Sequence, residues 1–133
     1  MIVLDTHVLL WLVSGSERLG KSARRRCDEL TRTREIFVPA VSFWEIAMLV
    51  QKNRIKLPSS PSTWRSEILD AGLTEIPLDG ATAIAAPSLQ DFHADPADRF
   101  IVASALKSGM TLLTADEQIL EWRGELSRQD ARR

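Results

Sequence analysis

Short apolar runs alternate along this chain with longer stretches in which apolar residues recur at helical spacing, so the pattern reads as strand and helix in turn. Met1 to Leu4 is continuously apolar, as in a parallel strand covered on both faces. Thr6 to Ser14 follows as a buried helix ended near Gly15. A basic helix spans about Lys21 to Thr33, with Ala23, Cys27 and Leu30 as its apolar stripe. Ile36 to Val38 forms a second short strand, and a helix from Ser42 to about Lys52 carries Glu45 in its first turn. Ser60-Pro61 signals a helix start and Gly72 a stop, which predicts a surface helix over Pro61 to Ala71. A brief strand at Glu75 to Leu78 precedes a short helix over Gly80 to Ala86, closed by Pro87. Asp95-Pro96 opens a further helix, apolar on most sides, from Ala97 to Ser108. Thr111 to Thr114 is the next strand, followed by a helix at Glu117 to Trp122. The alternation predicts an α/β fold, a mostly parallel central sheet flanked by helices. Glu121 to Arg133 has no clear period and reads as a short edge segment followed by a mobile tail of about the last ten residues.

Composition changes this picture little. The chain has 133 residues, 44% of them hydrophobic, enough for one domain over residues 1–133 with a core of its own. No apolar run approaches the roughly 20 residues of a membrane span, and the N-terminus enters a strand without a signal-like segment, so a cytoplasmic protein is expected. Cys27 is the one cysteine and sits on an apolar helix stripe, where it reads as buried filler. A net charge of -1 argues against nucleic-acid binding by bulk electrostatics. Its distribution is uneven, because Arg18, Lys21, Arg24, Arg25, Arg26, Arg32 and Arg34 crowd one segment. That segment is a solvated helix side or a phosphate-tracking face, and the former has the simpler pattern.

The chemistry lies in four acidic residues. Asp5 follows the first strand, Glu45 lies in Ser-Phe-Trp-Glu, Asp98 in Asp-Pro-Ala-Asp-Arg, and Asp116 just past the strand at Thr111 to Thr114. Each has a local explanation. Ser42 and Glu45 match a capping box, Asp95 caps a helix with Pro96 at its first position and Asp98 in its first turn, and Asp116 is placed as a turn or cap residue. Asp5 fits no such role, since a carboxylate between a buried strand and an apolar helix needs partners. All four fall at the same end of the predicted parallel strands, where open α/β sheets gather ligands. Two unit charges about 4 Å apart repel by roughly 4 kcal/mol at an effective dielectric of about 20, so a dry cluster of carboxylates calls for a cation.

In this order, Leu4-Asp5-Thr6-His7, Ser42-Phe43-Trp44-Glu45-Ile46-Ala47, His93-Ala94-Asp95-Pro96-Ala97-Asp98-Arg99 and Leu112-Leu113-Thr114-Ala115-Asp116 resemble the PIN-domain ribonucleases, and among them the VapC toxins of bacterial toxin-antitoxin pairs. The resemblance spans nearly the whole chain and implies a PIN-like three-layer α/β/α fold. It implies that Asp5, Glu45, Asp98 and Asp116 are catalytic, metal-binding residues, with Thr6 and Thr114 orienting carboxylates. Asp95 assists the site or caps its helix, and the cap is favoured. Arg99 is expected to meet substrate phosphate or brace the acidic cluster, or else to serve as a local helix partner. The implied cofactor is Mg2+, with Mn2+ as substitute, since hard oxygen ligands suit both.

The implied activity is metal-dependent endonucleolytic hydrolysis of RNA. The implied partner is a VapB-type antitoxin whose C-terminal arm lies over the acidic pocket, with the toxin a homodimer or part of a hetero-oligomer. Trp44, Met48 and Trp64 are expected to be exposed and to help form the antitoxin groove. Core or interface packing accounts for Trp11, Trp44 and Trp64 better than base stacking does. His7 and His93 read as structural or loop residues, and zinc is not expected without a Cys and His cluster. Two other classes stay open. One is a magnesium-dependent phospho-acceptor or phosphatase, which needs a lysine near the strand ends. The other is a non-catalytic binding module whose carboxylates only cap helices.

Overall fold

Side chains along a strand alternate between its faces, and in this protein both faces are covered. The computed structural model describes residues 1–133. Its strands are β1 (Ile2–Leu4), β2 (Ile36–Pro39), β3 (Thr74–Ile76), β4 (Thr111–Thr114) and β5 (Arg128–Asp130). They lie in the order β3-β2-β1-β4-β5, and every pairing is parallel. The helices are α1 (Thr6–Ser14), α2 (Lys21–Arg32), α3 (Ala40–Gln51), α4 (Pro61–Asp70), α5 (Gly80–Ala85), α6 (Pro96–Ser108) and α7 (Glu117–Leu120). No helix is long and apolar enough to cross a membrane.

The layers follow from strand alternation. Ile2, Leu4, Ile36, Val38 and Leu113 face one core, filled by Val8 and Leu9 of α1, Ala23 and Cys27 of α2, and Trp64 and Ile68 of α4. Val3 and Leu112 face the other, filled by Ile101, Val102 and Ala105 of α6 and by Ile119 of α7. Helix α3 serves both, with Ile46 in the first core and Val41 in the second. Each fully buried Leu or Ile contributes roughly 1.5–3 kcal/mol, so the central β1, apolar on both sides, is the segment least able to shift.

Three expectations need correction. Helix α3 begins at Ala40 directly after β2, with Pro39 at the cap position and no side-chain cap. Ser42 therefore lies inside the helix, fully buried, and accepts a hydrogen bond from Thr6 Oγ1 at 3.0 Å, so the capping box does not form and Glu45 moves into the second turn. The C-terminal residues are tied down rather than loose. Beyond β5, Ala131 is fully buried, its carbonyl accepts from Gly20 N at 2.8 Å, and the Arg133 carbonyl accepts from Ser22 N and Ala23 N. Those bonds satisfy first-turn amides of α2, whose Gly20 cap has no side chain to do so. A Cβ at Gly20 would lie 2.0 Å from the Arg133 backbone, so glycine here permits the close approach. Finally, Trp64 is 3% exposed and packs in the core, whereas Trp44 is 57% exposed.

Candidate active site

With β1 central, the chain leaves it toward β2 on one side and returns as β4 on the other, which makes the crevice beyond the carboxyl ends of β1 and β4 a topological switch point. Asp5 follows β1, Asp116 follows β4, Asp98 stands in the first turn of α6 and Glu45 in α3. Asp5 is 4% exposed. Its Oδ1 accepts from Thr6 N at 2.8 Å, capping α1, and its Oδ2 accepts from Thr114 Oγ1 at 2.6 Å. Burial nevertheless raises its pKa above the ordinary value, with the Thr114 and Thr6 hydrogen bonds opposing the rise.

The fully buried Thr114 hydroxyl does two jobs, since it also accepts from Asp116 N at 3.0 Å. One hydroxyl thus fixes the Asp5 carboxylate and the Asp116 backbone relative to β4. Asp116 Oδ1 accepts from Gln118 N and Ile119 N, capping α7, and Oδ2 is left without a hydrogen bond. Glu45 is raised by burial and by the Asp5 charge, with the Thr6 hydroxyl opposing. Asp98 is raised as well. Burial comes first, then the charges of Asp5, Asp95, Asp116 and Glu45, and together they push its carboxyl up to about 8. Without a cation it holds its proton at neutral pH.

Asp98, Asp116 and His93 each offer an atom within 4.8 Å of the others. His93 was expected in a loop or helix entry; it is there, and it also borders the acidic cluster, with Nε2 3.2 Å from Asp98 Oδ2. Its ring stacks on Phe92 at 4.5 Å, and Nδ1 accepts from Asp95 N at 3.4 Å. An accepting Nδ1 puts the proton of the neutral ring on Nε2, which makes His93 a donor toward the site. The enclosed Nε2 has no well-aligned partner, so this donor is unspent. The clue in the sequence is position: His93 precedes the Asp95 cap by two residues, where the chain folds back over the first turn of α6.

Asp95 caps α6, accepting from Asp98 N at 3.0 Å. Arg99 neither faces the acidic cluster nor pairs locally. Its guanidinium donates to the carbonyls of His93 (2.9 Å), Ala86 (3.1 Å) and Phe92 (2.6 Å), clamping the loop that carries His93. A fully engaged fork does not serve phosphate. Among the lysines, Lys107 pairs with Asp79 at 3.0 Å, away from the strand ends, so the phospho-acceptor reading lacks its cation. Pure capping does not explain the cluster either, since the Asp98 and Glu45 carboxylates cap no helix. A donor set dominated by carboxylate oxygens, with Asp98 kept protonated by burial and then by its neighbours' charges, fits a hard divalent cation.

The PIN domain family profile matches residues 2–124. The chain is 34% identical over 122 residues to Ribonuclease VapC22 of Mycobacterium tuberculosis, covering 89% of this chain and 88% of that protein. Its fold is shared with VapBC2 from Rickettsia felis bound to a promoter DNA fragment (TM-score 0.70, 16% identity, 98% of this chain and 100% of that one). DNA-bound VapBC from Salmonella typhimurium is similar too (TM-score 0.73, 15% identity, 97% and 96%). The parallel sheet, the carboxylates gathered at its switch point and these likenesses agree: the chain belongs to the PIN-domain family, in its VapC branch.

Proposed function

We propose that the chain is a metal-dependent endoribonuclease, the toxin of a toxin-antitoxin pair, with residues 1–133 acting as one PIN unit. Asp5, Glu45, Asp98 and Asp116 hold Mg2+, and Mn2+ substitutes. One observation carries the reading: acidic side chains converge beyond the ends of β1 and β4, where burial first and then the neighbouring charges push Asp98 to about 8, and a divalent cation would answer that charge. When bound, the ion supplies Lewis acidity and a more acidic water for attack on a phosphodiester.

The protein's own groups set the geometry. Thr114 holds Asp5 and the Asp116 amide, fixing the floor of the site on β1 and β4. Asp116 presents Oδ2 while its other oxygen is held by α7. Asp98 would give up its proton when a cation binds, and the enclosed His93 Nε2, 3.2 Å from Asp98 Oδ2, is placed to donate to that carboxylate once it ionises. Arg99 keeps His93 there by anchoring its loop.

The partner implied by the VapC relationship is a VapB-type antitoxin, and two features suit it. Trp44 is exposed on α3, the helix of Glu45. Two apolar clefts of about 340 and 350 Å3 meet at Val13 and Trp64, so Trp64 contributes an edge to the surface while its body stays in the core. An arm lying from these clefts toward Glu45 would cover the acidic pocket. A homodimer or toxin-antitoxin hetero-oligomer and a cytoplasmic location, where RNA is found, complete the proposal.

The test is cleavage of end-labelled total RNA by the protein freed of antitoxin, with Mg2+ or Mn2+ and with chelator, beside Asp5→Asn and Asp98→Asn. Metal-dependent fragments lost in both variants are expected. No cleavage by folded, metal-loaded protein would overturn the proposal.

A further inference from the structure

Beside the acidic cluster lies a separate cavity of about 470 Å3, bounded by Phe92, His93, Gln118 and Trp122, with Asp91, Glu121 and Arg123 at its rim. We infer that it is a nucleobase pocket, one that takes the base next to the scissile phosphate and prefers an edge that donates hydrogen bonds, guanine foremost. The assignment of that base to the cleaved RNA rests on the nuclease reading; binding of a nucleotide does not.

Its walls are continuous with the acidic site. His93 lines the cavity and brings Nε2 to 3.2 Å from Asp98, while the Gln118 amide is held by Asp116 Oδ1 at 2.8 Å. A nucleotide with its phosphate at the carboxylates therefore has its base within reach of the cavity. The volume falls within the range of small-ligand sites.

The aromatic wall is fixed before any ligand arrives. Trp122 Nε1 donates to the Gln90 carbonyl at 2.8 Å, and its ring meets Phe92 edge-on at 5.4 Å. Phe92 stacks in turn on His93 and lies beneath the Arg99 guanidinium at 5.8 Å. Gly124 closes over the indole so tightly that a Cβ there would sit 2.1 Å from the ring. Trp122 is only half-buried and its one polar atom is already used, so it offers the cavity an apolar surface and no readout of its own. Base contact with such a surface is sequence-tolerant. Preference has to come from the rim, where Asp91 and Glu121 are acceptors only and Arg123 is a donor only. Guanine answers both charges, with two adjacent donors on one edge for a carboxylate and the O6 and N7 acceptors for a guanidinium, whereas uracil presents one donor between two acceptors.

The experiment follows the Trp122 indole N–H signal of labelled protein, identified by its absence in Trp122→Phe. Metal-free protein is titrated with guanosine, adenosine, cytidine, uridine and ribose, which carry no phosphate for the bare carboxylates to repel. Guanosine is expected to move the signal at concentrations at least about tenfold below uridine, a discrimination of the size one paired base edge supplies. Asp91→Asn with Glu121→Gln is expected to erase the preference, and Gly124→Ala, which displaces the ring without removing a polar group, to weaken all four nucleosides. An indole that no nucleoside moves, or that ribose moves as guanosine does, would overturn the inference. Neither metal nor cleavage enters the titration, so a chain that fails to cut RNA yet binds guanosine here would lose the nuclease reading and keep the pocket.

Discussion

Asp98→Asn should stabilise the metal-free protein in alkali while destroying its response to metal. Asn has the shape of the protonated carboxyl that the cluster imposes at neutral pH and cannot acquire a charge. The ordinary carboxylate value is 3.8, and in the fold Asp98 is pushed to about 8 by burial and by the surrounding acidic groups. Between those values the folded state keeps a proton that the unfolded chain has lost, so this group makes stability fall as pH rises, until the folded carboxyl also ionises near 8. From pH 5 to 8 the ceiling is about 4 kcal/mol, at about 1.36 kcal/mol per unit. The side chain is 17% exposed at the mouth of an open site, where water and salt screen its neighbours. About 2 kcal/mol is the expected change. Urea unfolding of wild type and Asp98→Asn in chelator at pH 5 and pH 9 reads it, since titrating groups outside the cluster are common to both. The variant should gain about 2 kcal/mol on wild type between the two conditions, with unchanged m-value, and Mg2+ should raise the wild-type midpoint alone. A difference that stays flat with pH, or Asp98→Asn weaker at pH 9 than at pH 5, would refute the crowding account.

Other consequences are as direct. Mg2+ or Mn2+ binding at pH 7 should release close to one proton, chiefly from Asp98, and affinity should drop as pH falls below about 8; calorimetry in buffers of different ionisation enthalpy counts the proton. Thr114→Val removes the donor to Asp5 and the acceptor for Asp116 N, so metal affinity should fall about 10–100-fold and stability by about 1–3 kcal/mol, read by metal titration and denaturation. Arg99→Ala frees the loop carbonyls it clamps, and about 3 kcal/mol should go, with faster hydrogen exchange over residues 86–93 than over α2. Gly20→Ala drives a methyl into the Arg133 backbone, so thermal unfolding should report a loss of about 1–3 kcal/mol.

What the sequence made legible has a common physical origin. A strand buried on both faces tends to be continuously apolar, so Ile2 to Leu4 and the Leu112-Leu113 centre of β4 stand out, and a carboxylate at the end of such a strand conflicts with its surroundings unless something answers its charge. Helix stops at Gly15 and Gly109, both in the left-handed region, were equally visible. The invisible features depend on contacts between distant segments. Ser42 matched a capping box by spacing, yet the helix frame was set two residues earlier by β2 running through Pro39, and its hydroxyl met Thr6 across the fold. Arg99 beside Asp98 suggested shared chemistry, but on a helix adjacent side chains point about 100° apart, and Arg99 turns to the loop behind. The C-terminal segment lacks periodicity because backbone carbonyls, common to every residue, make the bonds to α2.

Capping and metal binding, weighed as rivals for each acidic residue, are compatible because a carboxylate has two oxygens and about four lone-pair sites. Asp116 spends Oδ1 on the first amides of α7, which fixes its rotamer and leaves Oδ2 oriented and unspent. Asp5 spends Oδ1 on Thr6 N and is held through Oδ2 by Thr114. Holding by caps keeps these two side chains from splaying under mutual repulsion, and Asp98, which caps nothing, answers its burial and its neighbours' charges by keeping its proton. Asn caps a helix as well as Asp does. Asp116→Asn should therefore leave α7 and the melting temperature in place while removing metal-dependent stabilisation, whereas Asp116→Ala should lose both. If Asn and Ala variants melted alike, the cap would contribute nothing, and the preorganisation ascribed to it would fall with it.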